Sequence, residues 1–158
     1  MQSRETLVLR AAHASEAGLL ASMSRLLVEH GLRWRWTARR IHAAISDPET
    51  MVLVASLAGE IAGFAIMSYG DQEAHLLLLA VSPERRRTGT GRQLLAWLEK
   101  SAITAGIQSV RLEVRTANAP ARAFYRRLGY RYLGQLSGYY DGREAASIYA
   151  KSLLARDG

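Results

Sequence analysis

Three places in this chain carry residues whose types and spacing could do chemistry. The first is a basic, glycine-containing turn, Ser82-Pro83-Glu84-Arg85-Arg86-Arg87-Thr88-Gly89-Thr90-Gly91, set between an apolar run and an amphipathic segment. A helix that starts there leaves backbone N–H groups unpaired and carries partial positive charge at its first turn. Glycines let an anion approach the backbone closely, and three consecutive arginines add charge-assisted donors. The turn is therefore an anion cradle. The second place is Glu113, and the third is Tyr125. By alternation alone, Glu113 is a solvated strand residue between Arg111 and Arg115. By its place on an apolar stripe, Tyr125 is a core tyrosine whose hydroxyl finds a partner.

The choice of anion narrows by comparison of patterns. A Walker loop needs Lys and then Ser or Thr after its second glycine, and neither is present. A dinucleotide fingerprint needs a third glycine three residues after the second, where this chain has Leu94. The net charge of +7 favours an anionic partner, or else is a soluble basic surface. With no cysteine, disulfides, thiolate nucleophiles and cysteine-held metal sites are excluded. His13, His30, His42 and His75 show no metal-ligand spacing, and no metal is expected. The 158 residues suggest one domain, 1–158, with a core of its own. The start of the chain carries no apolar stretch of signal-peptide kind, and the longest apolar run, 76–81, is too short to span a bilayer. A cytoplasmic protein without membrane contact is expected.

The elements that must position these residues follow from periodicity. Strands are predicted over 6–11, 51–57, 61–69, 74–81, 109–116, 130–136 and 146–153. The unbroken apolar run in the fourth strand suggests burial on both faces. Helices are predicted over 17–30, ended by Gly31; from Thr37 as N-cap to Asp47-Pro48; over 89–105; and from Asn118 as N-cap to Gly129. This order describes an α/β fold, a mixed sheet with helices on its faces.

Leu79-Ala80-Val81-x-Pro83 followed by Arg86-x-x-Gly89-x-Gly91 resembles the acetyl-CoA signature of the GNAT superfamily of N-acetyltransferases. The strand, turn and helix order matches as well, and the resemblance extends over roughly 7–153. It implies the GNAT fold, with a mixed, mostly antiparallel sheet and helices on both faces. It implies acetyl-CoA as co-substrate, with the pyrophosphate held by Arg86, Arg87, Thr88, Gly89, Thr90, Gly91 and Arg92. Leu79, Ala80 and Val81 would pair with the pantetheine arm as a strand does. Leu112-Glu113-Val114-Arg115-Thr116-Ala117-Asn118, then Ala121, Phe124-Tyr125 and Leu128-Gly129-Tyr130, look most like the ribosomal-protein-alanine N-acetyltransferase group. Tyr139-Tyr140 and Gly142-Arg143-Glu144-Ala145 resemble that group's C-terminal hairpin, which borders the peptide site. Within that likeness the residue matching Glu113 is the general base, that matching Tyr125 protonates the CoA sulfur, and that matching Asn118 contacts pantetheine.

The activity so implied is direct transfer of acetyl from acetyl-CoA to an amine, with a protein N-terminal α-amine, first of all a ribosomal protein's, as acceptor. A small-molecule amine, a lysine side chain, or a non-catalytic acyl-CoA- or RNA-binding module are the alternatives. Residues 32–40 and Ser147-Ile148-Tyr149 depart from the group's pattern. Trp34 and Trp36, interleaved with Arg33, Arg35, Arg39 and Arg40, have types that can stack nucleobases. At this spacing they are read as rings packed on the sheet with solvated arginines between them, and no nucleic acid is assigned.

Overall fold

The structure is a computed structural model that describes residues 6–86 and 88–154; Arg87, expected in the anion-binding turn, lies outside the described residues. In chain order the elements are β1 (Val8–Ala11), a 3-10 turn (Ala14–Glu16), α1 (Ala17–Leu27), α2 (Ala38–Ser46), β2 (Thr50–Leu57), β3 (Glu60–Tyr69) and β4 (Glu73–Val81). They continue with a second 3-10 turn (Pro83–Arg85), α3 (Thr90–Thr104), β5 (Ser109–Arg115), α4 (Ala119–Arg127), β6 (Arg131–Tyr140) and β7 (Glu144–Ser152). The strands are hydrogen-bonded in the order β1-β2-β3-β4-β5-β7-β6. The β4/β5 pair is parallel, and β1/β2, β5/β7 and β6/β7 are antiparallel. The described residues form two compact units, 6–67 with 78–86 and 88–98, and 68–77 with 99–154.

In the first unit, α1 buries Ala17, Leu20, Ala21 and Ser24, one stripe of a 3.6-residue period. The helix stops at Leu27, short of the predicted 30. The N–H groups of Val28 and Glu29 both donate to the Ser24 carbonyl, and Gly31 has a φ of +77°. The Glu29 carboxylate then turns inward and accepts from Ser24 Oγ (2.9 Å), Arg35 N (2.7 Å) and Trp36 N (3.2 Å). Thr37 caps α2 through its hydroxyl, which accepts from Arg40 N at 3.4 Å, and α2 packs on β2 with Ile41 fully buried. The Arg40 guanidinium lies 3.7 Å from the centre of the Trp36 ring, and that of Arg25 lies 5.0 Å from the Trp34 ring. Arginine thus covers one face of each tryptophan, and Trp36 is buried.

The strands buried in unbroken runs are β2 and β3, over 52–56 and 62–67. Strand β4 alternates instead. Ala74, Leu76, Leu78 and Ala80 are buried, while His75, Leu77, Leu79 and Val81 are half-buried. The leucine run hides this alternation because both faces carry apolar side chains although only one is fully covered.

In the second unit the parallel register runs from Glu73↔Ser109 to Leu76↔Leu112. β7 follows β5 from Ser109↔Ser152 to Arg115↔Ala146. Val110, Leu112 and Val114 of β5 are buried, as are Tyr125, Tyr130 and Tyr149. Glu99 of α3 accepts from Tyr130 Oη and Lys151 Nζ, each at 2.8 Å. Strand β6 runs four residues past its predicted end. It is exposed along most of its length and irregular between Tyr132 and Gly134 and between Leu136 and Tyr140, so the period-2 signal that betrays a strand is missing.

Candidate active site

The anion-binding turn is built within the first unit. The N–H of Ser82 donates to the Ala62 carbonyl at 2.9 Å, which fixes the exit of β4 against β3. The two strands are close: a Cβ placed on Gly63 would meet the Ala80 carbonyl oxygen at 2.8 Å. The chain then closes one 3-10 turn through Arg85 N to Ser82 O (2.8 Å) and Arg86 N to Pro83 O (3.3 Å). Arg86 folds back, its Nε donating to the Val81 carbonyl at 3.4 Å. Thr88 Oγ1 donates to the Arg85 carbonyl and lies 3.0 Å from Thr90 Oγ1. Gly89 adopts a φ of +85°, a left-handed conformation costly for any residue with a Cβ. The first intrahelical bond, Gln93 N to Gly89 O (2.9 Å), leaves the N–H groups of residues 90–92 ahead of the ladder.

These residues fit a diphosphate. The left-handed glycine removes the side chain that would fend off an anion, the helix start supplies N–H donors and positive potential, and Arg86 and Arg92 are exposed. Leu79 and Val81 are half-buried and Ala80 is buried.

The candidate acid–base residues stand in the second unit. Glu113 lies in mid-strand opposite Ile148, with only 11% of its side chain exposed. It is not the solvated residue that alternation alone suggests. Its Oε2 is bonded to Nε2 of His75, and its Oε1 lies 3.5 Å from Arg111 Nε. Arg111 also lies 3.8 Å from Glu73, and Arg115 lies 3.8 Å from Glu144. His75 is the residue that sequence reading missed. It stands 38 positions from Glu113, and only the β4/β5 register, with His75 opposite Arg111, brings the two together.

Tyr125 is buried, as its stripe predicts, with its ring edge-on to Phe124 (5.2 Å) and Tyr130 (5.8 Å). Burial, and then the nearby Tyr140, push its phenol well above the ordinary range, so it holds its proton at neutral pH. The Tyr140 phenol is raised too, by burial first, then by Tyr139 and by Glu113. Tyr140 is thus coupled electrostatically to both candidate residues, a link the Tyr139-Tyr140 pair hinted at only as part of a hairpin. Asn118 is exposed and caps α4, its Oδ1 accepting from Ala121 N at 3.2 Å. Both N–H bonds of its Nδ2 and one lone pair of its Oδ1 remain to meet a ligand. Among the described residues no group of three acidic, histidine or cysteine side chains could hold a metal ion. No helix among them is long and apolar enough to cross a membrane.

Known proteins resemble this chain in sequence and in fold. The chain is 41% identical over 95 residues to the ribosomal protein bS18-alanine N-acetyltransferase of Escherichia coli K12, a match covering 58% of this chain and 64% of that enzyme, just under two thirds of its length. The crystal structure of the E. coli ribosomal-protein-S18-alanine N-acetyltransferase superposes with a TM-score of 0.83 at 26% identity, over 96% of this chain and 97% of the other. Ard1 from Thermoplasma volcanium gives a TM-score of 0.84 at 26% identity, over 94% and 99%. The profile of the acetyltransferase (GNAT) family matches residues 20–130. The mixed seven-stranded sheet with its four helices is the GNAT fold, and the chain belongs to the GNAT acetyltransferase family.

Proposed function

We propose that this protein transfers acetyl from acetyl-CoA to a primary amine by direct attack, and that the acceptor is a protein N-terminal α-amine. The observation that carries the reading is the turn that opens α3, where a left-handed Gly89, the first N–H groups of the helix and the exposed Arg86 and Arg92 lie together in the chain, a combination suited to a diphosphate. Acetyl-CoA supplies an activated thioester. Arg86, Thr88, Gly89, Thr90, Gly91 and Arg92, and Arg87 with them, hold its diphosphate, and Leu79, Ala80 and Val81 align its pantetheine. Asn118 Nδ2 adds a donor.

Within this reading Glu113 accepts a proton from the attacking ammonium, directly or through water, because an amine attacks a carbonyl only when neutral. An α-amine, ordinarily near pKa ~8, needs less help than a lysine near ~10.4. As the carbon–nitrogen bond forms and the carbon–sulfur bond breaks, Tyr125, which keeps its proton, gives it to the departing sulfur. A nascent ribosomal protein is the first acceptor to test, on the likeness to the E. coli enzyme named above, and a cytoplasmic location belongs to the same proposal.

Two measurements test it. Calorimetric titration with CoA should show saturable 1:1 binding, and its absence would remove the transferase reading. Incubation with acetyl-CoA and a panel of peptides should release free thiol fastest with free alanine N-termini. Faster release with a lysine peptide blocked at its N-terminus, or with a polyamine, would reassign the acceptor.

A further inference from the structure

We propose that the helix–loop–helix formed by α1, residues 28–37 and α2 is a docking surface for single-stranded RNA, with Trp34 as a stacking platform and the surrounding arginines as phosphate contacts. The inference goes beyond the transfer reaction and does not depend on it. The surface lies within the first unit and uses none of the residues assigned to acetyl-CoA.

Residues 17–46 carry five arginines, Arg25, Arg33, Arg35, Arg39 and Arg40, all exposed, and a single carboxylate, that of Glu29. That carboxylate is turned inward. Glu29 is 7% exposed, and it accepts from Ser24 Oγ and from the main-chain N–H groups of Arg35 and Trp36. The one negative side chain of the segment is therefore committed to the fold, where it ties the loop to the end of α1. The charged groups left on the outside of the segment are all guanidinium ions. A field of one sign attracts a polyanion before contact and holds it after.

The two tryptophans are placed differently. Trp36 is buried and its ring carries the Arg40 guanidinium at 3.7 Å, whereas Trp34 is 36% exposed, with the Arg25 guanidinium 5.0 Å from its ring. Of the two rings, then, only Trp36 is packed away. A guanidinium laid on an indole has already lost rotamer freedom, so it meets a phosphate at a smaller entropic cost, and its outer face can stack a base. An exposed indole stacks a base of any sequence. An acidic peptide can use the arginines but brings no flat base for the ring, and a duplex keeps its bases stacked on one another. RNA loops and ends offer phosphates and splayed bases together, whereas DNA offers them only once its duplex is opened. Planar cations and an exposed ring on one surface match single-stranded RNA.

The test is fluorescence anisotropy of the full chain with a labelled oligouridylate of about twelve nucleotides, at salt from ~0.05 M to ~0.2 M and with or without excess CoA. Wild type should bind the oligonucleotide, more weakly as salt rises, and CoA should not displace it. Arg39→Gln with Arg40→Gln should flatten the log–log salt slope by about 1.4, two phosphate contacts at about 0.7 each. Lys100→Gln with Arg131→Gln removes the same charge from exposed positions of the second unit and should leave the slope unchanged. Trp34→Ala should weaken binding on the order of tenfold at an unchanged slope, and Trp34→Phe should recover most of the loss. Circular dichroism shows which variants remain folded. Should Trp34→Ala unfold, the two double variants still decide. No measurable binding at ~0.05 M salt, equal slopes for the two double variants, or displacement of the oligonucleotide by CoA would overturn the inference, the last by placing RNA in the turn that opens α3. So would an oligoglutamate of equal charge that binds as tightly, with Trp34→Ala without effect on either ligand; the surface would then be one for acidic peptides.

Discussion

At the scale of single residues, Tyr125 and Glu113 are made different by what surrounds them. Burial disfavours the phenolate, so Tyr125 is fitted to give a proton and not to take one. Tyr125→Phe removes the hydroxyl and keeps the ring that packs on Phe124 and Tyr130. Turnover should fall on the order of a hundredfold with CoA affinity unchanged, measured by steady-state kinetics and calorimetry; unchanged kcat with chemistry rate-limiting would strip Tyr125 of the acid role. Glu113→Gln keeps an acceptor for His75 but cannot take the amine proton. Activity should then depend on amine already neutral in solution and recover as pH rises through ~8, so the profile shifts to higher pH; an identical profile counts against Glu113 as the base. The glutamate and the tyrosine were legible as candidates because motif spacing fixes them. His75 was not, since a lone histidine in a leucine-rich strand looks like a surface or satisfied group until the strand beside it is known.

At the scale of elements, the ends of the helices do most of the positioning. Asn118 caps α4, and the same helix carries Tyr125 two turns later. Asn118→Ala should cost about 1 kcal/mol and lower Tm by roughly 2–4 °C, while Asn118→Ser should restore the cap. If Asn118 also touches pantetheine, the serine variant recovers Tm but not the KM for acetyl-CoA; recovery of both would leave the cap as its whole role. In the first unit, Arg10 donates twice to Glu16 (2.7 and 2.8 Å), and His13 N adds a third bond at 2.8 Å. With Arg10 as the largest cause, the Glu16 carboxyl is lowered from 4.5 to about 2. A depressed carboxyl stabilises the fold above its unfolded value and loses that contribution as pH falls through its folded value. Denaturation midpoints should therefore drop from pH ~4.5 toward ~2 more steeply in wild type than in Glu16→Gln; equal slopes would show that the pair contributes nothing. Helices were the elements most readable beforehand, through Thr37, Asn118, Gly31 and Gly129. β6 was the least, because an exposed, bulged edge strand carries no alternation to read.

At the scale of the whole molecule, the net charge of +7 would attract the proposed co-substrate, a polyanion, before any contact forms. Raising salt from about 0.15 M to 1 M shortens the screening length from ~8 Å to ~3 Å. The KM for acetyl-CoA should rise severalfold while kcat stays constant; a salt-independent KM would mean that the arginines around the turn do not steer it. What depends on neighbours along the chain was legible in the residues alone: the glycine-and-arginine turn, the caps, the alternation that puts Glu113 opposite the core side of β5, and the stripe that buries Tyr125. Local backbone geometry and periodicity decide those, and both are written in consecutive residues. Which strands lie side by side was not legible there and emerges from the folded sheet. That choice converts Glu113 from a solvated carboxylate into a largely shielded one bonded to a histidine 38 residues away. Pairing between strands distant in sequence is fixed by long-range packing, and no local pattern records its register.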